Sequence, residues 1–236
     1  MNRELSGTAL LLVGAMLVRL TVTDVYQRYV RVGMGPLLLA AGVLLVALGL
    51  VTLVAAFRGV PEPADDQLDH RGHAPGGARV GWLLLAPVLA LLLVAPPALG
   101  SYGVGRTTTV DVRTGHGTFA VLRADAAPVT MSLLEFDQRA VDRAGAGFGG
   151  VAVRLTGFVA APAAGGFRLA RYQIACCAAD AVAAVVDVRG ITGDPPARDA
   201  WVSVIGTFRP GGDPDQVPVL DVSSVQPVPV PVDPYE

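Results

Sequence analysis

The sequence predicts a two-part chain: a membrane α-helical amino-terminal part of about three transmembrane helices, then a small, mostly β carboxy-terminal domain. That domain is predicted as an OB-like five-stranded barrel with one preceding helix. Three observations lead there. Three long apolar runs lie before Gly100, apolar and other residues alternate from Val151 onward, and five strand-length runs are punctuated by Pro and Gly. The chain has 236 residues, 52% of them hydrophobic and only 16% charged. That balance exceeds the usual soluble one, and the excess is concentrated before Gly100. A net charge of −2, with every basic residue an arginine, excludes the concentrated positive face that nucleic acid requires.

The first apolar run spans 5–22. Leu5 to Val18 is short for a bilayer, so crossing requires Arg19 to lie near an end and snorkel to the headgroups. A cleaved signal peptide is the alternative, because Arg3 precedes the apolar stretch. However, no small-residue cleavage pattern follows it and Arg19 interrupts the expected site. The second run, 36–57, carries no charge, and at about 1.5 Å per residue it measures roughly 33 Å, enough to cross hydrocarbon. The third, 81–99, begins beside Trp82, an interfacial anchor, and nears its end at Pro96 and Pro97, which stop or kink a helix.

Arginines flank both intervening loops almost equally, and Arg3 tips the count toward an internal amino terminus. The expectation is therefore a multi-pass protein of the cytoplasmic membrane, with the polar loop 58–80 inside and the domain after Gly100 extracytoplasmic. The loop carries Asp65, Asp66, Asp69, His70 and His73, ligand types that suit zinc or a similar divalent ion. Its Pro and Gly content equally fits a solvated linker.

Residues 100–150 read as a linker with a short strand, Thr118 to Arg123, and a helix over 132–143. Ser132 followed by Glu135 is a capping-box pattern. Leu133, Leu134, Phe136 and Val141 supply the apolar face of that helix, leaving Asp137, Gln138, Arg139 and Asp142 to water. The glycines from Gly145 to Gly150 follow a helix and precede a strand. That order fits a turn and is the reverse of a phosphate-binding loop. In the β-rich part, 151–236, strands are predicted from Val151 to Phe158, Phe167 to Ile174, Ala181 to Val188, Ala200 to Phe208 and Val217 to Val225. A turn covers Ala161 to Gly166, and an extended Pro-rich ending runs from Pro227 to Tyr235.

Cys176 and Cys177 are adjacent, and neighbours on a strand point to opposite faces. Two readings stand: buried apolar thiols, or a metal or thiol site with Asp180 beside them, which would need further ligands to form a structural zinc centre. Arg154, Arg168 and Arg171 are candidates for a ligand or partner face on the barrel. No catalytic constellation is recognisable, and His116, between glycines, is the only histidine after the membrane part.

Several residues together resemble the YcgQ-like permease-subunit family, bacterial membrane proteins with a conserved carboxy-terminal domain. They are Gly157-Phe158-Val159, Arg171, Ile174, Cys176-Cys177, Ala179-Asp180-Ala181, Trp201, Val204, Gly206 and the closing Asp233-Pro234-Tyr235. The resemblance covers most of the chain and is strongest from Val151. It implies an accessory subunit of a separate multi-span permease, with the lipid bilayer and that permease as partners. Many members carry a histidine-rich stretch between the second and third spans, of which only His70 and His73 remain here. The rival to a docking or ligand-binding module is a metal-binding or thiol-based sensor built on Cys176, Cys177 and the His70/His73 loop.

Overall fold

The computed structural model describes residues 3–59, 98–104, 119–123, 127–211 and 217–236. All but the last two residues of the third apolar run lie outside these stretches, as do Asp65, Asp66, Asp69, His70, His73 and His116. The chain divides into two compact units, Met1–Gln27 with Val32–Pro96 and Arg28–Arg31 with Pro97–Glu236.

In the first unit, α1 (Arg3–Val22) and α2 (Gly35–Phe57) are both long and apolar enough to cross a membrane. Two helices with such apolar surfaces and few polar contacts pack by close backbone approach. Glycine provides it. A Cβ at Gly14 would lie 2.7 Å from the Val46 amide nitrogen and 2.8 Å from the Gly42 carbonyl oxygen. One at Gly49 would lie 2.9 Å from the Gly7 carbonyl. Gly35, Gly42 and Gly49, one heptad apart, are the buried residues of α2, whereas Leu37, Leu44 and Val51 are exposed. The Thr21 and Thr52 hydroxyls donate to the carbonyls of Leu17 and Leu48 in the preceding turn, so they need no water.

The second unit is built on a closed five-stranded mixed barrel. Its strands are β2 (Ala152–Ala163), β3 (Gly166–Gln173), β4 (Val182–Arg189), β5 (Trp201–Arg209) and β6 (Val219–Pro227). β2, β3 and β4 form an antiparallel meander, β4 pairs in parallel with β6, and β5 lies antiparallel to both β6 and β2, closing the ring. A two-residue strand, β1 (Val129–Thr130), adds in parallel to the start of β2. Leu155, Leu169, Val186, Val204 and Leu220 are fully buried in the core, one from each barrel strand, as the period-two pattern requires.

α3 (Leu133–Val141) is capped by the Ser132 side chain, which accepts from the Glu135 N–H at 3.0 Å. The reciprocal half of the capping box does not form, because the Glu135 carboxylate pairs with Arg139 at 2.8 Å. α3 buries Leu133 and Phe136 in the barrel core, where Phe136, Phe148 and Phe208 cluster with ring centroids 4.6 to 5.9 Å apart. The turn after α3 takes Gly145 to a φ of +76°, where a Cβ would run into the Phe208 ring. The glycine-rich stretch is thus a packed turn.

Four sequence expectations are corrected. Residues 119–123 form no strand: Leu122 donates to the Gly147 carbonyl, while Arg139 and Arg143 donate to the carbonyls of Ala120 and Phe119, tying the stretch to α3 and its turn. β2 runs on to Ala163, through the segment assigned to a turn. Its register shifts between Val159 and Ala161, and β5 pairs with β2 only as far as Phe158, so the missing N–H of Pro162 falls where no β5 neighbour is paired. Asp137, expected to face water, is buried. The Pro-rich ending leaves the sheet after Pro227 but returns to bury Tyr235.

Candidate functional site

β3 ends at Gln173 and β4 begins at Val182, and the intervening turn carries both cysteines. Asp180 shapes this turn. Its Oδ1 accepts the Ala175 N–H at 3.0 Å, and its Oδ2 accepts those of Cys176 at 2.8 Å and Cys177 at 3.4 Å. A short 3₁₀ turn, Ala178–Asp180, brings the carboxylate back over these amides. Backbone donors that would otherwise be orphaned between two strands are satisfied by one side chain.

The strand rule that sends neighbouring side chains apart does not apply here, because the turn is not a strand. The two sulfurs lie 3.6 Å apart on one side. Neither thiol is buried: Cys176 is exposed and Cys177 half-buried, which removes the reading of two core thiols. One ligand atom from each of Cys176, Cys177 and Asp180 fits within a 4.8 Å group.

The electrostatics follow from the hydrogen bonds. The Cys176 thiol donates to Asp180 and is also bonded to Cys177; these contacts, in that order, push its pKa up to about 12. The Asp180 carboxyl is held below its ordinary value, chiefly by the Cys176 thiol and then by the Cys176 backbone N–H. An activated nucleophilic cysteine needs the opposite arrangement, a lowered pKa beside a cation or a base. The Cys176 thiol is therefore held protonated against an ionised Asp180 carboxylate.

The turn also holds a strap from far away in sequence. Arg31 donates its N–H to the Cys176 carbonyl at 3.1 Å, and Ala178 donates to the Tyr29 carbonyl at 2.7 Å. Val30 and Cys177 form an antiparallel bridge between these bonds. Arg28–Arg31 therefore belongs to the barrel unit although it lies between α1 and α2 in sequence.

Each of the three arginines read as a candidate face has a partner within the unit. Arg168 pairs with Asp187 at 3.0 Å, and Arg154 donates to the Ser203 hydroxyl at 3.5 Å. Arg171 donates to the carbonyls of Asp233 and Tyr235 at 3.0 and 3.2 Å, and its guanidinium lies 5.6 Å from the Trp201 ring centroid. The tail ending in Tyr235 and Glu236 is thereby fixed against the barrel.

A second feature was not legible in sequence. A cleft of about 550 Å³ is lined by 98–103 together with Phe158, Asp199, Trp201 and Val230. Its walls are largely apolar. The carboxylate of Asp199 is engaged by the Ser101 N–H at 2.6 Å and the Ser101 hydroxyl at 2.9 Å. Tyr102 and Val230 are exposed.

No curated protein and no solved structure matches the chain. Residues 139–236, which run from the end of α3 through the whole barrel and its tail, match the family model of the DUF1980 C-terminal domain.

Proposed function

We propose that the chain is an integral membrane accessory subunit of a permease, with its OB-like barrel as the docking module. The observation that carries this reading is the apolar cleft walled by Phe158 and Trp201, on a chain that also holds two helices of membrane-crossing length. The occupant is an apolar segment of the permease near the membrane surface. This follows from chain continuity, because residues 98–103 of the cleft include the last two residues of the third apolar run of the sequence and the four that follow it. The resemblance to permease-subunit proteins and the closed mixed barrel support the same assignment.

The proposed orientation has the amino terminus inside and the barrel outside. It puts the connection between the first two spans on the outer side as well, and the bonds of Tyr29 and Arg31 to the cysteine turn support that arrangement. A third crossing by residues 81–99 belongs to this reading.

The test is co-purification from mild detergent. A multi-span partner should accompany the chain, and Trp201→Ala should reduce its recovery several-fold while the barrel keeps its melting temperature within a few degrees. Recovery without any multi-span partner, or equal recovery from the variant, would count against docking through this cleft.

A further inference from the structure

We propose that Cys176 and Cys177, with Asp180, form an open, exchangeable site for a thiophilic divalent cation of the zinc class. This goes beyond the docking role and does not depend on it.

The spacing of the sulfurs selects the chemistry. Zinc–thiolate bonds of about 2.3 Å at a tetrahedral angle place two sulfurs about 3.8 Å apart. The observed 3.6 Å is close to that bite. A disulfide would need about 2.0 Å, and linear two-coordination at the same bond length would need about 4.6 Å. The thiol–thiol hydrogen bond already holds the sulfurs near a chelating separation, and Asp180, whose three accepted N–H groups fix the backbone of both cysteines, keeps them on one turn.

The carboxylate has capacity left for a metal. Oδ1 accepts one backbone N–H and Oδ2 accepts two, and of the about four lone-pair positions of a carboxylate the remaining one, taken by the Cys176 thiol, is freed when that thiol gives up its proton. Two thiolates and one carboxylate oxygen make three protein ligands, leaving a fourth position for water. Closed structural zinc sites use four protein ligands, so the group on this turn is an open site. Its exposure gives the ion a route in and out.

The charge balance is neutral. Each thiol releases its proton to solvent as the divalent ion takes both thiolates, so two protons leave for two charges gained. Two thiols with one carboxylate carry one negative charge, and two thiolates with the carboxylate and a divalent ion carry the same. Loading therefore demands no new counter-ion from the barrel.

The test uses the full chain in mild detergent, fully reduced, in a His70→Ala, His73→Ala background that removes two loop imidazoles able to take an ion themselves. Cadmium is the probe, read by its thiolate-to-metal absorbance in the near ultraviolet. The expected result is saturation at one cadmium per chain, displacement by zinc, and loss of the band in both Cys176→Ser and Cys177→Ser. Asp180→Asn should weaken binding by at least roughly tenfold, because it removes a ligand where loss of a mere outer-shell partner already costs about 10–100-fold. A missing band, or a band that survives either cysteine substitution, overturns the proposal. Should the variants fail to fold, the unsubstituted chain still decides: zinc should slow alkylation of both thiols at least tenfold, with chelator restoring the rate. Alkylation indifferent to zinc overturns it equally.

Discussion

Glu236 caps α3 from 103 positions away: both of its carboxylate oxygens accept the Leu133 N–H at 3.1 Å. An anion at a helix amino terminus meets unpaired N–H groups and the positive end of the helix dipole. Glu236 also faces Arg171 at 3.8 Å, so the tail joins the helix to β3. Glu236→Ala should destabilise the barrel unit by about 1–2 kcal/mol, the usual range for loss of a cap. Denaturant unfolding of the detergent-solubilised chain measures this, and an unchanged midpoint would refute the cap.

The same carboxyl gives a pH signature. Burial pushes its pKa above the ordinary 4.5, against the lowering effect of its hydrogen bonds and Arg171. A carboxyl raised in the folded state binds more protons folded than unfolded. Its contribution is fully present below pH 4.5 and is lost as pH rises through the raised value. The stability difference between the natural chain and Glu236→Gln should therefore shift against the natural chain as pH rises through that window. A pH-independent difference would remove the assignment.

Asp180→Asn should accelerate alkylation of Cys176. The carboxylate is the largest cause of the raised thiol pKa, and each unit of pKa recovered gives about tenfold more thiolate at a fixed pH below it. Rates read by mass spectrometry of the two thiols should rise at least about tenfold for Cys176. A slower or equal rate would mean that the hydrogen bond does not restrain the thiol.

Between the apolar helices, Gly14→Leu should separate α1 from α2, because the added side chain would meet the Val46 backbone and the Gly42 carbonyl. Overpacking of this kind costs about 1–3 kcal/mol. A lowered thermal aggregation temperature in detergent, with Val51→Leu on the exposed face as a neutral control, checks it.

The parts legible in sequence are those whose physics is local or periodic. α1 and α2 could be read because each holds a long, largely uncharged apolar run of the length that crossing a membrane requires. β2 to β6 could be read because one face of each is buried, so apolar residues recur at every second position. The cysteine turn could be located but not interpreted. Strand alternation would have pointed Cys176 and Cys177 apart; the strand was read to end at Ile174, beside its observed end at Gln173, but the path of the turn that follows was not readable. The carboxylate was noticed only as a possible ligand; its grip on three amides depends on a backbone path that a sequence does not display. Tyr235 was read as part of an extended ending and Glu236 was not singled out, because their partners, Leu99 and Leu133, are about a hundred or more positions away. The stretch after Thr118 looked like a strand, yet arginines on α3 and in the turn after it claim its carbonyls.

The strap across the cysteine turn also sets an order of assembly. Arg31 is synthesised early, but the carbonyl that receives its N–H, on Cys176, arrives roughly 145 residues later. At ribosomal speeds of about 5–20 residues per second, that is a delay of about 7–30 s. During the interval the connection between the first two apolar helices has no barrel to rest on. Packing of the two helices through their glycines involves residues that are all made long before the barrel can take hold of the strap. Tyr235, whose hydroxyl donates to the Arg28 carbonyl, makes one of the last such contacts to become available.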